Sequence, residues 1–176
     1  MPVVSCNRKK MRDQPYITKD IGGHWRTVYS ENAEAFSDSF YEGLELMETD
    51  PKKAEKIFKQ IITVCGNGHI DAILHLGFLY NETNKKIEGN ALIHKAHNIA
   101  LQAIPKDFDS TKERIEWGHI DNRPFLRTFH AIGLEYMEEE QYDKAIEKFN
   151  FILNVNPNDN QGVRFLVEDC NQKLKK

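Results

Sequence analysis

The sequence predicts an all-α fold, a short stack of about three helical hairpins closed by a C-terminal helix and preceded by an irregular N-terminal arm. Three observations predict it. Apolar residues recur at steps of three and four over most of residues 31–176, the rhythm of helices with one buried face. The segments with that rhythm are bounded by start and stop signals, Asp50-Pro51, Gly66-Asn67-Gly68 and Pro157, where a side chain caps free N–H groups or a glycine or proline ends the helix. The pattern Ala54, Phe58, Ile61 also returns as Ala145, Phe149, Ile152.

Residues 1–30 show no sustained period, and Pro2, Pro15, Gly22 and Gly23 interrupt them, which predicts an irregular arm. Its Tyr16, Ile17, Ile21, Trp25, Val28 and Tyr29 offer apolar groups for docking on a helical surface as a cap on the first repeat. A basic cluster, Arg8, Lys9, Lys10 and Arg12, offers a local contact for an acidic surface or nucleic acid. From Glu31, Ala35, Phe36, Phe40, Gly43, Leu44 and Met47 mark a helix running to about Glu48. Thr49-Asp50-Pro51 turns into a second helix, and Gly66 to Gly68 end it, completing a hairpin over about 31–65.

A second hairpin covers about 70–104, with Ile73, Leu76, Gly77 and Tyr80 on its first helix and Gly89, Ile93, Ala96 and Leu101 on its partner. Residues 105–124 then interrupt the register as an inserted loop, with Phe108, Ile115, Trp117 and Ile120 as packing anchors. The third hairpin, about 125–156, opens at Pro124 behind Asp121 and Asn122 as expected caps. After Pro157, Asn158-Asp159-Asn160 start a capping helix over 159–175 with a lysine-rich end. The organisation expected is one helical domain over 31–176 behind the arm.

Counting from Leu126, residues Phe129, Ile132, Gly133, Tyr136, Ala145, Phe149 and Pro157 fall at the spacing of aromatic, Leu, Gly, Tyr, Ala, Phe and Pro. That spacing resembles the tetratricopeptide repeat, a helix-turn-helix unit of about 34 residues. The match is strongest over 126–159 and weaker over 36–104. The resemblance implies a right-handed solenoid in which Gly133, Gly77, Ala145 and Ala54 let paired helices approach, while Phe149, Phe58, Tyr136 and Tyr80 fill the space beside them. One hairpin cannot bury its apolar face alone, so such repeats stack.

In that family the first helix of each pair lines a concave groove. Carried over position by position, the resemblance places Arg127, His130, Leu134 and Met137 there from the third hairpin, Asp71, Leu74, Phe78 and Asn81 from the second, and Ser37, Phe40, Leu44 and Met47 from the first. Gln161 and Arg164 of the closing helix join them. The expected partner-binding set is Phe40, Leu74, Phe78, Arg127, His130, Leu134, Met137 and Arg164. Leucine, phenylalanine and methionine beside arginines suit a peptide or helical segment with apolar anchors and an acidic group. The Lys/Asn set of a carboxylate clamp is missing. Arg123, Arg127 and Arg164 have a structural alternative, bridging to Asp121, Asp159 or Glu135.

Composition limits the other classes. The 24 basic and 27 acidic residues leave a net charge of -3, no field for holding nucleic acid or an anionic membrane with the whole molecule. Cys6, Cys65 and Cys170 are odd in number and form no CxxC pair, and the start MPVVSCNRKKMR lacks the apolar run of a signal peptide. A soluble, reduced, cytoplasmic protein is therefore expected. No HExxH, phosphate loop, GxSxG or GxGxxG occurs, so the expectation is no enzyme and no cofactor. The metal-binding or catalytic alternative rests on His94 and His97, three apart, with His130, Cys65 or His69 as a third ligand. The leading expectation is a non-catalytic scaffold for a protein or peptide partner. Self-association through the ends of the stack is possible.

Overall fold

A computed structural model describes residues 14–175, and most of the chain is helical. Two strands, β1 (Tyr16–Lys19) and β2 (Trp25–Val28), form a hairpin. Eight α-helices follow among the described residues: α1 (Glu31–Ala35), α2 (Ser37–Leu46), α3 (Pro51–Cys65), α4 (Ile70–Glu82), α5 (Lys86–Ala103), α6 (Arg123–Glu138), α7 (Tyr142–Val155) and α8 (Val163–Leu174). The basic cluster Arg8, Lys9, Lys10 and Arg12 lies outside the described residues. The chain divides into two compact units, one holding Val28–Ala103, the other Ile17–Thr27 with Ile104 to the C terminus.

In the first unit Asp50 caps α3 by accepting from the Lys53 N–H at 3.1 Å, with Pro51 at the first turn, as those residue types require. The single helix expected from Glu31 to Glu48 is two. Phe36 leaves the helical region at φ −98°, ψ 11°, and the next residues, Ser37 and Asp38, are weak helix formers better suited to a first turn. Phe40, Ala54, Phe58, Ile61, Cys65, Ala72, Leu76 and Leu79 make the core. A Cβ on Gly43 would stand 2.7 Å from the Phe58 ring, and one on Gly77 would stand 2.9 Å from the Gly89 carbonyl oxygen. Both hairpins therefore close at a distance that excludes a methyl group.

In the second unit α6 pairs with α7, and α8 packs on α7. Phe125, Phe129, Phe149, Ile152, Val155, Val163 and Cys170 are buried, with Phe129 and Phe151 stacked at 4.2 Å. Each such ring adds on the order of 1.5–3 kcal/mol through lost apolar exposure. The Phe149 ring occupies the space left open by Gly133. The capping helix begins at Val163, later than expected, after Gly162 at φ +69°, and the Asp159 carboxylate accepts from the N–H groups of Val163 (2.6 Å) and Arg164 (3.1 Å). Of the expected run Asn158-Asp159-Asn160, Asp159 supplies these bonds, four places before the helix.

The arm differs from expectation. Residues 16–28 form a β-hairpin closed by Asp20, whose carboxylate accepts from Gly22 and His24 N–H groups, with Gly23 at φ +81°. Strands of four residues are too short to display an alternating period in sequence. Of the residues expected to dock on the first hairpin, Ile17, Ile21 and Trp25 group with the second unit and Tyr16, Val28 and Tyr29 with the first.

Candidate functional site

Helix α6 presents a stripe of four residues, Arg127, His130, Leu134 and Met137, spaced three, four and three apart and so on one face. Its opposite side is buried, through Phe125, Leu126, Phe129, Ile132 and Gly133. On the stripe Leu134 is exposed at 38%, and the other three are half-buried. The helix is amphipathic and leaves this face partly open, with Leu134 its most accessible side chain.

The N-terminal end of that stripe is held by the insertion. Arg123 and Arg127 place their guanidinium groups 5.4 and 5.6 Å from the Trp117 ring centre, close enough for cation–π attraction. Arg123 also donates to the Trp117 carbonyl at 3.1 Å, and the Trp117 N–H donates to Asn156 Oδ1 at 3.1 Å. Beneath lies Asn122, fully buried. Asn122 was expected to cap α6, but its side chain makes no such bond. It accepts from the Thr27 N–H (2.8 Å) and donates to the carbonyls of Trp25 (2.9 Å) and Glu116 (3.1 Å). A buried amide with this many partners is a structural joint, since losing it strands several polar groups.

At the other side of the stripe, Asp159 stands at the start of α8, accepting from the Val163 and Arg164 N–H groups. Arg164 pairs with Asp159 at 3.5 Å and donates to the Pro157 carbonyl, so its fork helps hold the turn before α8. Burial pushes the His130 imidazole below its usual pKa, against the opposing charge of Asp159. The His130 Nε2 is buried and without a hydrogen-bond partner among the described residues. Phe165 on α8 is exposed at 72%.

The equivalent positions of the first unit differ. Leu74 is fully buried and Phe40 is 6% exposed, so neither offers surface to a partner, contrary to the groove-lining role expected of them. Phe40 is a core residue, packed by ring contacts with Phe58, His69 and His75. Leu74 belongs to a helix that is apolar almost all round, IDAILHLGFLYNE, and such helices are buried ones. Phe78 is half-buried, edge-on to His75 at 5.4 Å.

The histidines considered as metal ligands have other placements. His97 is buried, and His69 caps α4 by accepting from the Ala72 N–H at 3.1 Å. Among the described residues, the group of three whose ligand atoms converge within 4.8 Å is instead His24, Glu116 and His119. Sequence reasoning missed this trio and the Asn122 joint. His24 and the β2 partners of Asn122 lie more than ninety residues before the insertion residues they meet, and no local spacing signals that they meet. No protein-family model matches the chain, and no curated protein matches it.

Proposed function

We infer that this chain is a non-catalytic, tetratricopeptide-like interaction module that holds a peptide or helical segment along α6. The repeat reading is supported by two equivalent hairpins. Gly77, Tyr80, Asn84 and Gly89 correspond at one offset to Gly133, Tyr136, Glu140 and Ala145. Both turns place the equivalent residue at positive φ, Asn84 at 61° and Glu140 at 59°. Both close with the same bond, Lys85 N–H to the Tyr80 carbonyl at 2.9 Å and Gln141 N–H to the Tyr136 carbonyl at 2.8 Å. The solenoid arrangement belongs to this proposal.

The observation that carries the binding function is the open stripe Arg127, His130, Leu134 and Met137. Its chemistry suits a segment with apolar anchors for Leu134 and Met137 and an acidic group toward Arg127. A reducing, cytoplasmic setting fits the two buried free thiols, Cys65 and Cys170. No helix of the described chain is long and apolar enough to cross a membrane.

Panning a displayed random-peptide library on the wild-type protein tests the site. Enriched peptides carrying apolar and acidic residues are expected, with binding weakened about tenfold or more by Leu134→Asp in a folded protein, the loss of a central apolar contact. Peptides that bind the variant as well as wild type would remove the stripe as the site.

A further inference from the structure

We propose that His24, Glu116 and His119 form a binding site for one divalent transition-metal ion of the zinc class. The three side chains come from two segments of the second unit, His24 from the β-hairpin turn and Glu116 and His119 from the insertion. Glu116 Oε2 lies 4.0 Å from His24 Nδ1 and 3.8 Å from His119 Nε2, so one carboxylate oxygen faces both imidazoles. The two rings stand 5.4 Å apart, tilted at 56°. Ligands each about 2.0–2.1 Å from a tetrahedral ion stand roughly 3.3 Å from one another. The 4.0 and 3.8 Å separations exceed that value by about 0.7 and 0.5 Å.

The backbone beneath the trio is fixed on both sides. The Asp20 carboxylate holds the His24 N–H at 3.0 Å, and the His24 carbonyl accepts from the Asp20 N–H at 2.9 Å. The Glu116 carbonyl accepts from the His119 N–H at 3.2 Å and from the buried Asn122 side chain at 3.1 Å, and the His119 carbonyl accepts from the Asn122 N–H at 2.9 Å. Asn122 also holds β2 through Trp25 and Thr27, so one buried side chain sets both segments that carry the ligands. Preorganisation of this kind separates a metal site from chance neighbours.

The ligand set selects the metal. Two imidazoles and one carboxylate suit zinc and its first-row neighbours, whereas calcium and magnesium prefer oxygen throughout. Glu116 meets His24 and His119 and no lysine or arginine among the described residues, which leaves its charge available to a cation. His24 is the most exposed of the three, so a fourth position opens to solvent and takes a water. The ion would then staple the β-hairpin to the insertion.

Titration of the tag-free, metal-stripped full chain with zinc and with cobalt tests this. Wild type is expected to bind one equivalent, to show the visible absorption of four- or five-coordinate cobalt, and to melt at a higher temperature with zinc present. His24→Ala and His119→Ala should each weaken zinc by at least the roughly tenfold loss that even outer-sphere changes cause. Glu116→Gln should do likewise, and His94→Ala should leave binding unchanged. Circular dichroism without metal checks the fold of each variant; if His119→Ala is unfolded, His24→Gln at the exposed turn carries the comparison. Absence of one-to-one binding to wild type overturns the proposal, as does binding undiminished in the folded His24 variant.

Discussion

Helices α4 and α6 each open a helical hairpin, yet the corresponding stripe is buried at Asp71 and Leu74 on α4 and nowhere fully buried on α6. Both carry a glycine three residues before a tyrosine, Gly77 and Tyr80 against Gly133 and Tyr136. Leu74 is fully buried, while its counterpart His130 is half-buried and the stripe continues to an exposed Leu134. The shared glycine and tyrosine positions thus accompany the pairing of two helices and leave open which outer face stays accessible. The hairpins also close differently. In α6/α7 one glycine admits an aromatic ring, whereas in α4/α5 two glycines bring backbone against backbone.

The largest expected effect separates the two stripes directly. Leu74→Asp places an unpaired carboxylate in a fully buried position and should cost about 4 kcal/mol or more, seen as loss of the cooperative transition in chemical denaturation. Leu134→Asp should stay within about 0.5 kcal/mol of wild type. Equal costs for the two would erase the distinction between a covered and an open face.

Next in size is the contrast in hairpin closure. Gly133→Ala collides with the Phe149 ring and should cost about 1–3 kcal/mol, a cost that shrinks in a Phe149→Leu background because the two sites share one space. Gly89→Ala meets Asn81 Oδ1 and, at 2.7 Å, the Gly77 carbonyl oxygen. Since backbone cannot be trimmed, Asn81→Ala should give little relief. Denaturation midpoints of the two double mutants decide whether closure differs in this way.

The smallest effect concerns the tyrosine that both hairpins share, Tyr80 and Tyr136. Tyr80 donates to Glu55 Oε1 at 2.9 Å, and Lys59 and Lys85 meet the same carboxylate at 2.6 and 3.3 Å, whereas Tyr136 has Lys144 over its ring at 5.4 Å. The Lys59 hydrogen bond above all, then Tyr80 and Lys85, holds Glu55 at a pKa of about 2, against an ordinary 4.5. With the folded pKa depressed, the contribution is complete above pH 4.5 and disappears as pH falls toward 2. Glu55→Gln should therefore cost about 1 kcal/mol or less at pH 7, with the difference vanishing through that window in thermal melts. A pH-independent difference would mean that the charge contributes nothing.

Much of the helical architecture was legible because its signals are local. Asp50 and Pro51 start α3 where a cap and a first-turn proline belong, and Gly66 ends it at φ +57°. The break at Phe36 was not legible, since apolar spacing continues through it and only the backbone angles depart. Asn122 read as a helix cap because it precedes Arg123-Pro124. Its actual bonds reach Trp25 and Thr27, nearly a hundred residues away, and no local rule reports such a partner. Of the expected partner residues, those on α6 lie on an accessible stripe, whereas Phe40 and Leu74 required knowledge of what surrounds them.

By itself, the sequence determined helix periods, caps and the close approach of paired helices, because these depend on residues within a few turns of one another. Tertiary structure alone decided that Leu74 is covered and Leu134 open, that residues 16–28 form a hairpin, and that His24 meets Glu116 and His119. The physical reason is common to all three. Burial and convergence are set by segments distant along the chain, and a periodicity of three and four residues carries no information about them.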